Sequence, residues 1–168
     1  DGQLSIGQIG AETVDATFRG EPMAFLMRRV LEGASDVDQA EVMIRGAART
    51  VGVTYVIADA RAGRALALET THRQVRVFAA DDPAEHAVSY ARPIGDAVLR
   101  ADAAVDPAIR DKQLASRGNP RRPGLEDPAG SSAYDTRYLK QAAGLRDRYG
   151  VLDPEGAKAI AATVAPGS

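Results

Sequence analysis

The stretch "VGVTYVIADARAGRALALE", residues 51–69, limits what this chain can fold into more than any other part of it. Val53 to Asp59 is a run rich in β-branched and aromatic residues, the types that suit a pleated, half-buried surface. "DARAG" offers a turn in which Gly63 can supply a positive φ, and Asp59 is the residue expected to cap it. Residues 64–69 return as an antiparallel partner. "RQVRVFA", residues 73–79, alternates polar and apolar and reads as a third strand. Leu66 and Leu68 share one face of their strand; Val75 and Val77 share one face of theirs. A three-stranded meander follows. Glu69 ends the second strand, where a solvated carboxylate is the expectation.

The segments on either side are mostly helical. "LSIGQIGAE" (4–12) carries Leu4, Ile6 and Ile9 with two Gly, as a strand with a bend or a close backbone approach does. After a loop, Pro22 suits the first turn of a helix. Met23, Met27, Val30, Leu31 and Ala34 follow at helical spacing, predicting a helix over 22–33. Ser35 and Asp36 are acceptable N-caps for the next helix, and Gln39 completes a capping box. Val37, Ala40, Ile44, Ala47 and Ala48 form the apolar stripe of that second helix, 36–48. Both helices are expected on one face of the sheet through Met27, Leu31, Val37 and Ile44. Leu31→Ala would then cost about 2–5 kcal/mol.

Further along, "DDPAEHAVSYARP" is irregular. Short helical segments are expected over 97–101 and 107–117. "SRGNPRRPGLEDPAGSS" (116–132) is a Pro/Gly-rich loop. Tyr134, Tyr138, Ala142, Leu145 and Tyr149 recur at three- and four-residue steps in a helix closed by Gly150. Asp153-Pro154 opens a last helix with Ala157, Ile160, Ala161 and Val164 on one face. The class is α+β, with residues 1–168 forming a single domain or a fragment of one.

Composition removes several functions. The charge is near balance, 21 Lys plus Arg against 23 Asp plus Glu, which argues against a nucleic-acid binder with a basic face. The Arg cluster at 117–124 reads as a solvated loop. No apolar run approaches the ~20 residues of a membrane span. No signal-peptide pattern opens the sequence, which favours a cytoplasmic location as an expectation. The absence of Cys removes disulfides, thiolate metal sites and a Cys nucleophile within this chain. His72 and His86 are the only imidazoles, and no carboxylate recurs at a ligand spacing, so neither metal nor cofactor is expected. "GQIGAE" lacks the full dinucleotide fingerprint. "GSS" (130–132) is no nucleophile elbow.

The order of these pieces resembles the acyl-coenzyme A:6-aminopenicillanic acid acyltransferase family, also called isopenicillin-N acyltransferase-like. "GEPMAFLMRRVLEGASDVDQAEVMI" (20–44) is similar to that family's Gly-x-Pro, helix, Arg-x-x-Leu-Glu, helix arrangement. "RTVGVTYVIADARAGRALALE" (49–69) is similar to its strand pair. "SSAYDTRYLKQAAGLRDRYGVLDPEGAKAI" (131–160) is similar to its Ser-x-x-x-x-Arg helix and the helix after it. The resemblance touches most of the chain and rests on order and spacing.

It implies an N-terminal-nucleophile hydrolase. The fold would be an αββα sandwich of two antiparallel sheets between helical layers. The nucleophile would be a Cys exposed by autoproteolysis, with its own α-amino group or a bound water as base. That Cys lies upstream of the matched region, so the chain would be a portion of the parent protein or a processed subunit. Its partners would be the remainder of the parent or a second processed chain, and a small amide or acyl substrate.

Two site residues are carried over from the resemblance. The family commonly presents an Asn on the first hairpin strand, whose amide helps hold the oxyanion. Thr54 stands there, and its hydroxyl can still donate one hydrogen bond. Equally, a Thr in a strand serves β-propensity alone. In the Ser-x-x-x-x-Arg segment, Arg137 is the counterpart of an Arg that reaches the nucleophile's surroundings. Its fixed charge could lower a thiol pKa or orient a carboxylate. Position alone makes it a surface Arg on an amphipathic helix. The expected activity is amide hydrolysis or acyl transfer through a thioester. The alternatives are a non-catalytic binding module that keeps the fold and a helix-rich scaffold subunit.

Overall fold

The computed structural model describes residues 4–117 and 132–163, excepting the side chains of Arg117 and of residues 132–135. Expectations that fall on 118–131, on the Tyr134 side chain and on Val164 lie outside the described residues. The elements are β1 (Leu4–Gly10), α1 (Met23–Gly33), α2 (Val37–Gly46), β2 (Val53–Asp59), β3 (Arg64–Thr70), β4 (Val75–Phe78), α3 (Pro83–His86), α4 (Pro107–Arg117), α5 (Ser132–Asp147) and α6 (Pro154–Ala162). The four strands form one antiparallel sheet in the order β1-β2-β3-β4, so the class is α+β.

The hairpin forms where the sequence places it. Gly63 takes φ 60 at the turn. Asp59 accepts from the N–H groups of Arg61 and Ala62 at 2.9 and 3.1 Å, closing the loop. Val53 pairs with Thr70 and Asp59 with Arg64, so the hairpin contains no bulge. The β1 strand adds in front, Leu4 opposite Asp59 and Gly10 opposite Val53. Gly52 precedes β2 at a close backbone approach, since a Cβ there would collide with the Ala11 carbonyl oxygen.

One sheet face carries Leu4 and Ile6, Val53, Tyr55 and Ile57, Leu66 and Leu68, Val75 and Val77. It packs under α1 and α2, and the core is closed by Leu26, Val30, Val37, Ala40 and Ile44. Asp36 caps α2, accepting from Gln39 N–H at 2.8 Å, while the Gln39 side chain accepts from the N–H of Ser35, one residue before the cap, at 3.2 Å, so the reciprocal bond of the expected capping box is displaced by one residue. The C-terminus of α2 is capped by Arg49. Its buried guanidinium donates to the carbonyls of Ile44, Arg45 and Ala47, and to Thr71 in the loop after β3.

Four expectations are corrected. Leu31 is 47% exposed and Leu26, only 1% exposed, fills the core with Val30. The inward stripe of α1 therefore runs through Met23, Leu26, Met27, Val30 and Ala34, rotated by about one residue from the expected one. The α2 helix stops at Gly46 and Ala48 is exposed. Residues 97–101 form no helix, only an isolated bridge between Ile94 and Ala97. Tyr149 lies beyond α5 and is exposed.

The opposite face of the sheet carries Thr54, Val56 and Ala58, Ala65, Ala67 and Glu69, and Arg76 and Phe78. Residues 79–106 lie across its β3–β4 side, where Ala67, Phe78, Ala91 and Val105 form a second cluster. At the end of that segment, Asp106 accepts from Ile109 N–H at 3.0 Å and starts α4. The α5 helix is pinned through Tyr138, whose hydroxyl accepts from Arg92 N–H at 2.7 Å. Ile160 of α6 packs closely against Gly144 of α5.

Candidate functional site

The second face holds a buried polar cluster. Ala11 N–H donates to the Gly52 carbonyl at 3.1 Å, and the backbone groups of Val53 are taken by the Thr70 hydroxyl on the other side. Residues 52, 54, 56 and 58 therefore direct their backbone groups at β1, because hydrogen-bonded positions alternate in an antiparallel ladder. Thr54 and Glu69 are thus a non-hydrogen-bonded pair, the class in which side chains stand closest.

Glu69 is fully buried, at 0% exposure, and is not the solvated end of a strand that its sequence context suggests. Its Oε1 accepts from Val105 N–H and its Oε2 from Asp106 N–H, both at 2.8 Å. Arg100 Nε lies 2.7 Å from Glu69 Oε1, but its N–H is not aimed at that oxygen, so the contact is ionic without a good hydrogen bond. Arg100 Nη2 reaches Glu85 Oε1 at 2.5 Å. The same guanidinium lies 4.6 Å from the centre of the Phe78 ring. On the flank, Arg76 lies 3.8 Å from Asp106 and also faces Phe78.

One cation thus serves two buried carboxylates. Burial pushes the Glu69 carboxyl above the ordinary carboxylate range; Arg100 and the two backbone N–H groups pull it back in part. Together these contacts tie residues 85–106 to the centre of the sheet.

Thr54 is 1% exposed, and its hydroxyl has no hydrogen-bond partner among the described residues. It is a buried hydrogen-bond donor next to a carboxylate whose two oxygens already accept backbone N–H groups. Arg137 has a different setting. It stands on α5, half exposed, and its Nη1 donates to Asp102 Oδ2 at 2.7 Å. No described contact joins Thr54 to Arg137. The cleft of about 570 Å³ on this face is at the hairpin end, between Ala58, Ala65, Ala79, Asp96 and Val98, and neither residue lines it.

Sequence reasoning missed Glu69, Arg100 and Glu85 as a unit. For Glu69 a signal existed: the Gly63 turn fixes the hairpin register, which sets Glu69 beside Thr54. Nothing local marked Arg100 or Glu85, which lie in the irregular segment.

No protein-family model matches this sequence, and no curated protein matches it.

Proposed function

We propose that these residues are part of an N-terminal-nucleophile amide hydrolase or acyltransferase, with the remaining strands of an αββα sandwich supplied from outside them. The observation that carries the reading is the Thr54 hydroxyl: a buried donor on an inner strand, with no acceptor among the described residues. An unpaired buried polar group costs about 1–3 kcal/mol, so a group that has no acceptor at rest suits a charge that develops during a reaction.

In this reading a Cys outside the chain attacks the amide carbonyl. Thr54 donates to the oxyanion of the tetrahedral intermediate. The C–N bond breaks, the leaving amine takes the proton from the base, and a thioester remains until water or an acceptor amine resolves it. Glu69, clamped by Arg100 and two backbone N–H groups, fixes the strand position next to Thr54. Arg137 would orient a substrate carboxylate by exchanging it for Asp102, since an exposed pair of this kind is weak.

The second reading is a non-catalytic binding or scaffold subunit that keeps the fold. The tight enclosure of Thr54 favours it.

The test uses the parent protein. Intact mass and N-terminal sequencing report whether processing exposes a Cys. Incubation with a panel of N-acyl anilides, followed by acid quench and mass spectrometry, reports an acyl adduct on that Cys. Thr54→Val should lower turnover by about 10²–10³. A parent with no processed nucleophile and no adduct leaves the binding or scaffold reading.

A further inference from the structure

Residues 79–106, between β4 and α4, carry little regular structure. They hold one four-residue helix, α3, and one isolated bridge between Ile94 and Ala97. The apolar cluster beneath them is built from Ala67, Phe78, Ala91 and Val105, whereas α1 and α2 close a core rich in Leu, Ile and Val. A segment with little buried apolar surface and no ladder of its own opens at a lower free energy than the sheet it covers. Its fastening is polar. Glu69 of β3 takes the Val105 and Asp106 N–H groups, and Arg100 reaches both Glu69 and Glu85 of α3.

The charges in this fastening do not balance. Glu69, Glu85 and Arg100 are all buried, two carboxylates against one guanidinium. The other charged and titratable groups around them are engaged elsewhere. Arg76 on β4 stands opposite Glu69 in register, but it is half exposed and turns to Asp106. Arg110 on α4 lies over the Tyr90 ring and donates to the Ala104 carbonyl, while the Tyr90 hydroxyl donates to the Val105 carbonyl. From α5, the Tyr138 hydroxyl accepts the Arg92 N–H. His86, next to Glu85 in sequence, is exposed and bonds Asp81 at 2.6 Å. A net negative charge is costly to bury, and a carboxylate so placed takes up a proton instead. Burial holds the Glu69 carboxyl above its ordinary range and the nearby Asp106 adds to the rise; Arg100 and the two backbone N–H groups offset only part of it.

We propose that residues 79–106 are a proton-linked strap: closed, the strap keeps a proton on the Glu69 carboxyl beside Arg100 and Glu85, and opening releases that proton to water. In the open form each carboxylate is hydrated and needs no cation. Glu69 is fully buried when the strap is closed, so it meets solvent only in the open form. A carboxyl that holds its proton more tightly closed than open favours closure most below its open-state value, and less as pH rises through the closed-state one. The strap is therefore tight in acid and looser toward neutrality. The Asp15 contact has the opposite sign, because its carboxyl is held below the ordinary range.

Amide hydrogen exchange by NMR on the 168-residue chain, from about pH 5 to 8 and corrected for the intrinsic rate, tests this. The amides of Arg92, Ala104, Val105 and Asp106 should share one opening constant. It should be larger than that of the hairpin amides Tyr55, Ile57, Leu66 and Leu68. It should also rise with pH, by up to about tenfold per unit, the limit for one proton. Glu69→Gln removes the proton site, and Glu85→Gln leaves one carboxylate for one cation. Either change should flatten the rise. His86 remains in both variants, so a rise that survives in Glu69→Gln belongs to His86 and overturns the inference. The carboxyl 13C resonance of Glu69 in the unaltered chain decides the matter without any variant: it should titrate above the ordinary glutamate value of about 4.3. Titration at or below that value overturns the inference. So does a flat opening constant in the unaltered chain, or strap amides that open only together with the hairpin.

Discussion

Removing the Arg100 charge is the sharpest test of the cluster. Arg100→Met keeps a long apolar side chain over Phe78 but leaves Glu69 and Glu85 without a cation. Those two side chains are only 0% and 7% exposed, and that of Arg100 only 1%. Breaking a buried pair by deleting one partner costs about 3–5 kcal/mol. Loss of the cation–π contact adds up to about 2 kcal/mol, offset in part by Met packing on the ring. The expected loss at pH 7 is therefore about 3–5 kcal/mol, read from urea unfolding followed by far-UV circular dichroism.

The loss also has a pH signature. Without Arg100, burial raises the folded-state pKa of the Glu69 carboxyl further above its unfolded value. A raised carboxyl favours the neutral form in the fold, so its contribution is complete below the unfolded value and is lost as pH rises through the folded one. The gap to wild type should be smallest below about pH 4.5 and widest at neutrality. Adding Glu69→Gln and Glu85→Gln to Arg100→Met should recover much of the stability at pH 7, because the two carboxylate charges left by Arg100→Met are then gone. A gap under about 1 kcal/mol at pH 7, or one that does not change between pH 4 and 8, refutes the account of one cation serving two buried carboxylates.

Other outcomes follow from particular residues. Leu26→Ala should cost about 2–5 kcal/mol and Leu31→Ala under about 1 kcal/mol in this chain, checked by the same unfolding experiment. Thr54→Val removes a buried hydroxyl that has no partner among the described residues, at nearly constant shape, and should be neutral or stabilising by about 1 kcal/mol; a clear destabilisation would mean that the hydroxyl has a partner. Asp15 is partly buried, which raises its pKa, but hydrogen bonds from Thr13, Thr71 and Lys112 outweigh this and hold it below the ordinary range. Its contribution is present above the unfolded value and lost as pH falls through the folded one, so Asp15→Asn should flatten the acid limb of stability against pH.

The hairpin was legible because its determinants are local. The run Val53 to Asp59, the Gly63 turn and the Asp59 cap lie within a few residues of one another, and each constrains the same backbone. The α2 cap was legible for the same reason. The phase of α1 was not. Leu26 and Leu31 are chemically equal, and periodicity allows either to face inward; contact with β1 and α2 chooses Leu26. The segment 97–101 has helical composition, yet Arg100 is held by two carboxylates distant in sequence, and the chain forms no helix around it.

Thr54 and Arg137 were candidates carried over from a resemblance in order and spacing, which carries no information about depth. The fold buries Thr54 and leaves Arg137 on the surface with Asp102. Glu69 is the clearest case. Its strand, its register and its neighbour Thr54 follow from the sequence, since a hairpin without bulges pairs residues at a fixed sum. Its burial, its raised pKa and its hold on residues 100–106 do not. Those depend on a segment some thirty residues later crossing the sheet at that point, and only tertiary packing brings Arg100 and the Val105 and Asp106 amides to the carboxylate.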